Sequence, residues 1–231
     1  MSKIIQDEYR YIEYEMYQNT KDVLFQTVQN EKVNLDLYHI TQFIYQLTLQ
    51  NPNDPNFYNV VGELKQNYQM HLQFNFNTWS YQIKYKGYTF LFRLLAPQIN
   101  SAEMQAELFS DNRCRKCHER TIQLFHQNQK LVTGYITDIQ YPHLKTIHSW
   151  LEQTINNEEY VIDYVMNIII SKMDYYKLMS IDKTNELKDS NIIQIYQQTF
   201  LIFGKLYCLA GNEIAMEIKQ KILFNDIFSK I

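Results

Sequence analysis

Apolar residues recur at steps of three and four over residues 3–20, where Ile5, Tyr9, Ile12 and Met16 fall on one side of a helix. A second stripe runs from about Asp36 to Gln50 and comprises Leu37, Ile40, Phe43, Ile44 and Leu47. It stops at Asn51-Pro52-Asn53-Asp54-Pro55, whose turn residues and prolines do not continue a helix. A third helix is predicted from Phe57 to Met70. Stripes of this width pack against a core.

From Thr78 to Leu95 the period changes to two. Trp79, Tyr81, Ile83 and Tyr85 alternate with polar residues, Lys86-Gly87 offers a turn, and Tyr88 to Leu94 continues as a β-rich run, so a hairpin is predicted. Pro97 ends it. A short helical piece, Ala102 to Phe109, leads into the polar loop Ser110-Asp111-Asn112-Arg113. His118 to Gln129 reads as a helix with Thr121, Leu124 and Phe125 on one face. Three strands follow, over Lys130–Ile136, Ile147–Gln153 and Tyr160 to about Ile170, with Asn156-Asn157 turning the chain between the last two. From Asp189 onward the pattern returns to helix, with Ile193, Tyr196, Phe200 and Phe203 in register.

This order of elements predicts an α+β fold. A helical N-terminal region over 1–75, a core over 76–185 and C-terminal helices over 186–231 are expected to form one unit.

Composition narrows the function classes. Of 231 residues, 45% are hydrophobic and 20% charged, an ordinary globular balance that excludes disorder over most of the length. A net charge of −3 argues against a nucleic-acid partner or an acidic membrane surface. The N-terminus, Met1-Ser2-Lys3-Ile4-Ile5-Gln6-Asp7-Glu8, has no apolar core of a signal peptide. The apolar stretch near Phe200–Ala210 is interrupted by Gly204 and Lys205 and falls far short of the ~20 residues that span a bilayer. Three cysteines, at 114, 117 and 208, do not make a disulfide framework. A reduced, cytoplasmic setting is expected, with no membrane association.

The chemistry centres on Cys117. Arg113-Cys114-Arg115-Lys116-Cys117-His118 contains C-x-x-C-H, the spacing of a c-type haem attachment site, but no export signal accompanies it. Zinc held by Cys114, Cys117, His118 and either His126 or His143 is the alternative reading. It lacks the second spaced ligand pair usual in tetrahedral sites. No metal or organic cofactor is expected.

A third reading takes partners far along the chain. A thiol titrates near ~8.5 and attacks only as thiolate. A helix N-terminus and an imidazolium both favour that form, and Cys117 stands where the helical pattern begins. Arg113, Arg115 and Lys116 add positive potential nearby. A tight turn centred at 155–157 places His148 opposite Asp163 or Val165, so His148 and Asp163 share a face of two adjacent strands in either register. A carboxylate at that distance fixes the imidazole tautomer and leaves the other nitrogen for Cys117.

Cys117, the Gly134-Tyr135 pair, His148-Ser149-Trp150-Leu151-Glu152 and Val161-Ile162-Asp163 together resemble the core of the transglutaminase-like branch of the papain-fold cysteine enzymes. The resemblance covers about residues 113–167 and implies a papain-like core, with a helix carrying the Cys packed on an antiparallel sheet carrying the His and Asp. It implies Cys117 as nucleophile, His148 as general base and acid, and Asp163 as orienter. Tyr164 stands where that family often has proline or threonine, and Asn167 is the alternative orienter. The oxyanion is expected to be met by the Cys117 backbone N–H, with Asn112 as the candidate side-chain donor. The implied activity is acyl transfer on a peptide or protein amide, with a peptidase or deamidase favoured over a transglutaminase. A zinc- or peptide-binding module centred on Cys114 and Cys117 stands as the non-catalytic alternative.

Overall fold

Asn34 starts the first helix, α1 (Leu35–Thr48), because its Oδ1 accepts from the backbone N–H groups of Asp36 and Leu37, both at 3.1 Å. The computed structural model describes residues 34–181 apart from 116, 127 and 140–143, together with strands at 26–27 and 184–187. The helix expected over 3–20, the C-terminal helices and Cys208 lie outside the described residues. Helix α2 (Phe57–Tyr68) follows α1 and ends where Gln69 takes a left-handed φ of 55°.

Nine strands form one antiparallel sheet among the described residues. They are β1 (Gln26–Thr27), β2 (His71–Asn75), β3 (Ser80–Tyr85), β4 (Tyr88–Leu94), β5 (Gln129–Thr137), β6 (Leu144–Ile155), β7 (Glu158–Asp163), β8 (Ile168–Ser171) and β9 (Thr184–Leu187). Their order is β2-β3-β4-β8-β7-β6-β5-β9, with β1 pairing the start of β6. Helices α3 (Ala102–Leu108), α4 (Cys117–Gln123) and α5 (Lys172–Met179) complete the elements. The chain is therefore α+β, with a mainly antiparallel-hairpin connectivity.

Two turns fix the registers that matter. At the β3–β4 turn Lys86 and Gly87 have φ of 43° and 83°, and at the β6–β7 turn Asn156 and Asn157 have φ of 52° and 66°. Two consecutive positive φ values match the twist of a two-residue hairpin, a conformation that Gly and Asn tolerate best. The β6–β7 turn sets Ile155 against Glu158 and, four steps on, Leu151 against Ile162.

The sheet is covered on both faces. Val132, Trp150, Val161, Ile168, Ile170, Phe92 and Phe90 join α1, α2 and the α5 residues Tyr175, Leu178 and Met179 in the large core. Alternation sends Leu131 and Leu151 the other way, where they pack with Ile122 of α4.

Several elements depart from the sequence reading. Strand β2 occupies part of the region read as helical, because His71-Leu72-Gln73-Phe74-Asn75 alternates and pairs with β3. The strand expected from Tyr160 to about Ile170 is two strands joined at residues 164–167. Asp163 Oδ1 accepts from the Met166 N–H at 3.1 Å there, and Asn167 turns the chain at φ 55°. The turn is apolar and buried at Tyr164, Val165 and Met166, so it reads as a strand. Helix α4 starts one residue earlier than expected and is shorter, since Asn128 turns left-handed at φ 74° and β5 starts at Gln129. The loop at 111–115 is a 3₁₀ turn.

Candidate active site

Cys117, His148 and Asp163 come from three elements. Cys117 is the first residue of α4, His148 lies on β6, and Asp163 is the last residue of β7. Helix α4 is seated on β6, with Thr121 Oγ1 donating to the Ser149 carbonyl at 3.1 Å. Gly134 stands directly opposite His148 across β5 and β6, so no side chain occupies the neighbouring position on that face.

His148 Nε2 donates to Asp163 Oδ2 at 3.0 Å, and His148 also hydrogen-bonds Cys117. With Nε2 committed to the carboxylate, Nδ1 is the nitrogen left for the sulfur. Relative exposure rises along the chain of contacts, from 0% at Asp163 to 4% at His148 and 8% at Cys117. The Asp163 carboxylate is sealed in, and Cys117 is the most exposed residue of the three.

Burial disfavours charge on both His148 and Asp163, yet each overcomes it through the other. Desolvation works to lower the His148 pKa, but the Asp163 carboxylate and then the Cys117 sulfur raise it well above the ordinary imidazole value. Desolvation works to raise the Asp163 pKa, but His148, the Tyr175 hydroxyl and the Met166 N–H hold it below the ordinary carboxylate value. An imidazolium paired with a carboxylate is the stable state of the pair near neutral pH.

Around this pair lies a second set of contacts. The Trp150 ring stacks near His148, with centroids 6.2 Å apart and planes 25° apart. Trp150 Nε1 donates to Glu152 Oε1 at 3.2 Å. Glu152 is buried and also accepts from Tyr176 Oη at 2.6 Å and pairs with Lys172 Nζ at 2.7 Å. The His-x-Trp-x-Glu string is thus one row on one face of β6, tied down by α5.

Other expected site residues take different places. Asn167 does not orient His148. It is fully buried, its Nδ2 donates to the Thr48 carbonyl at 3.1 Å, and its Oδ1 accepts from the Ala96 N–H at 2.9 Å. Asn112 is exposed on the 3₁₀ turn and does not join the buried group.

Arg113, expected to add positive potential near Cys117, is held by hydrogen bonds to other parts of the chain. It is fully buried against the end of α1, donating to the carbonyls of Tyr45 at 3.1 Å and Thr48 at 3.0 Å, to Thr48 Oγ1 at 2.8 Å, and to the Leu108 carbonyl. The cation meets the negative end of the α1 dipole, and its role is to anchor the turn before Cys117. Of the zinc candidates, His126 is exposed and His143 lies outside the described residues. Among the described residues no group of three or more His, Cys, Asp and Glu is placed to share a metal ion.

Tyr175 is the site residue that the sequence reading missed. Its hydroxyl donates to Asp163 Oδ2 at 2.8 Å. The available signal was Ser171-Lys172-Met173-Asp174, a helix start in which Ser171 Oγ accepts from the Asp174 N–H at 3.2 Å.

Searches against family models, curated proteins and solved structures return no match to this chain. Among the described residues no helix is long and apolar enough to cross a membrane.

Proposed function

We propose that the protein is a cysteine-dependent acyl-transfer enzyme of the transglutaminase-like, papain-fold type. It acts on a peptide or protein amide through Cys117, His148 and Asp163. The observation that carries the reading is the single line of contacts from Asp163 Oδ2 to His148 Nε2, at 3.0 Å, and from the other side of the imidazole to Cys117. An imidazolium beside a sulfur favours the thiolate, the nucleophilic form.

The Cys117 thiolate attacks the carbonyl carbon to form a C–S bond, and the carbonyl electrons move to oxygen. The Cys117 backbone N–H, at the start of α4, is the donor proposed for that oxygen. As the intermediate collapses, the C–N bond breaks and His148 passes its proton to the departing amine, leaving a thioester. His148 then takes a proton from the incoming nucleophile, which releases the acyl group and frees the thiolate. Asp163 keeps its charge throughout and fixes which imidazole nitrogen faces the sulfur. Water as the second nucleophile gives a peptidase or deamidase, the reading favoured here; an amine gives a transglutaminase. The chemistry needs no metal or organic cofactor.

Alkylation by limiting iodoacetamide across pH tests the reading. Cys117 is expected to react faster than Cys208 near pH ~6–7, where an ordinary thiol is mostly protonated. His148→Ala is expected to abolish that advantage by at least about tenfold. Equal rates at Cys117 and Cys208, or an unchanged profile in His148→Ala, would rule the triad out. Stoichiometric zinc in the purified protein, retained by Cys117, would instead favour the metal-binding alternative.

A further inference from the structure

Helix α5 makes two separate connections to the candidate triad. Tyr175 donates to Asp163 Oδ2 at 2.8 Å, the same oxygen that accepts from His148 Nε2 at 3.0 Å. Tyr176 and Lys172 hold Glu152, which holds the Trp150 indole on which His148 stacks. Tyr175 is fully buried and packs its ring against Trp150, with centroids 5.6 Å apart.

We infer that Tyr175 is a positioning residue of the acyl-transfer site, one that sets how strongly Asp163 holds the His148 proton. The inference rests on the proposed function above. Its physical basis is competition between two donors for one oxygen. A carboxylate oxygen that already accepts from a hydroxyl has less electron density to give to an imidazole N–H. Tyr175 therefore keeps Asp163 charged while preventing it from binding the imidazolium proton so tightly that His148 becomes a poor acid. His148 must release that proton to a leaving amine, so a moderated Asp163 serves the reaction better than an isolated one.

Among the described residues, Asp163 from β7 and Cys117 from α4 face the imidazole, and Tyr175 from α5 and the Met166 N–H from the β7–β8 turn face the carboxylate. Tyr176 lies beside Tyr175, with ring centroids 6.5 Å apart, and its hydroxyl is committed to Glu152. Tyr175 is therefore the hydroxyl through which α5 acts on the pair.

The test follows the His148 titration by NMR of labelled histidine in the full-length protein, together with Cys117 alkylation across pH. Tyr175→Phe keeps the ring and removes the competing donor. The His148 midpoint is expected to rise by about half a unit or more. Replacing Tyr175 with 3,5-difluorotyrosine makes the hydroxyl a stronger donor in the same shape, and the midpoint is expected to fall. This second variant decides the matter if Tyr175→Phe does not fold. A midpoint unmoved in the fluorinated protein, or moved upward, overturns the inference. The alkylation comparison between wild type and His148→Ala reports separately on the proposed function. A normal His148 dependence with no Tyr175 effect removes the inference and leaves the triad, whereas no His148 dependence removes both.

Discussion

Asp163 meets His148 across a diagonal. The β6–β7 register pairs Leu151 with Ile162, so Asp163 stands level with Trp150, two residues from His148 on the same face. The 3.0 Å contact between Asp163 Oδ2 and His148 Nε2 is made by the reach of both side chains along the strands. A diagonal pair leaves the carboxylate open to a second donor from α5, and Tyr175 supplies it. The geometry makes the protonation of His148 a property of several elements at once.

Asp163→Asn should reverse the His148 shift. Without the carboxylate, burial is the dominant influence on the imidazole, and burial lowers its pKa. The His148 titration, followed by NMR, is expected to fall below the ordinary value of ~6.5. Cys117 alkylation near pH ~6–7 should slow by about tenfold or more. A His148 midpoint still well above the ordinary value would show that Asp163 is not its counter-ion.

The same pair shapes stability against pH. The pKa of His148 is raised on folding, so its contribution is complete below ~6.5 and is lost as pH rises toward the folded value. The pKa of Asp163 is lowered, so its contribution is complete above ~3.9 and is lost as pH falls. In a Cys117→Ser background, which removes the thiol titration, the pair's contribution should be flat between about pH 4 and 6.5 and decline on both sides. Adding Asp163→Asn should make stability rise with pH through ~5–6.5, because the imidazole then prefers to be neutral when folded. Denaturant midpoints for the two proteins check this, and parallel curves would contradict it.

Asn167 should matter for stability alone. Asn167→Ala loses two buried hydrogen bonds and places an alanine at φ 55°, costing about 2–4 kcal/mol. Asn167→Gly relieves the backbone and should recover about 1 kcal/mol of that loss. Neither should move the pH profile of Cys117 alkylation in the folded protein. A shift as large as that of Asp163→Asn would restore Asn167 as an orienter.

Arg113→Lys should cost about 2–3 kcal/mol despite keeping the charge, because an ammonium cannot serve the four acceptors that the guanidinium fork reaches. The loss should appear in the denaturant midpoint and as faster amide exchange in the 111–117 segment. A change below about 0.5 kcal/mol would mean that the turn before Cys117 is held by other contacts.

The two hairpins were legible because their turns are short and chemically explicit. Lys86-Gly87 and Asn156-Asn157 carry residues suited to positive φ, and the second turn alone set His148 and Asp163 on one face. The break between β7 and β8 was hidden, since Tyr164, Val165 and Met166 are buried like strand residues and only the contacts of Asp163 and Asn167 reveal a turn. Arg113 misled for a related reason. Next to a cysteine it reads as local charge, whereas three of its four acceptors lie 65 and 68 residues earlier, on α1.

The sequence by itself determined what repeats locally: the α1 and α2 stripes, the alternation of the strands, the turn residues, and through them the shared face of His148 and Asp163. Tertiary structure decided what depends on contacts between distant elements. It placed Cys117 against the imidazole, sent Arg113 to the end of α1, gave Asn167 to Thr48 and Ala96, and brought Tyr175 onto the carboxylate. Periodicity records which side of an element is apolar. It does not record which polar group, tens of residues away, a buried donor will meet.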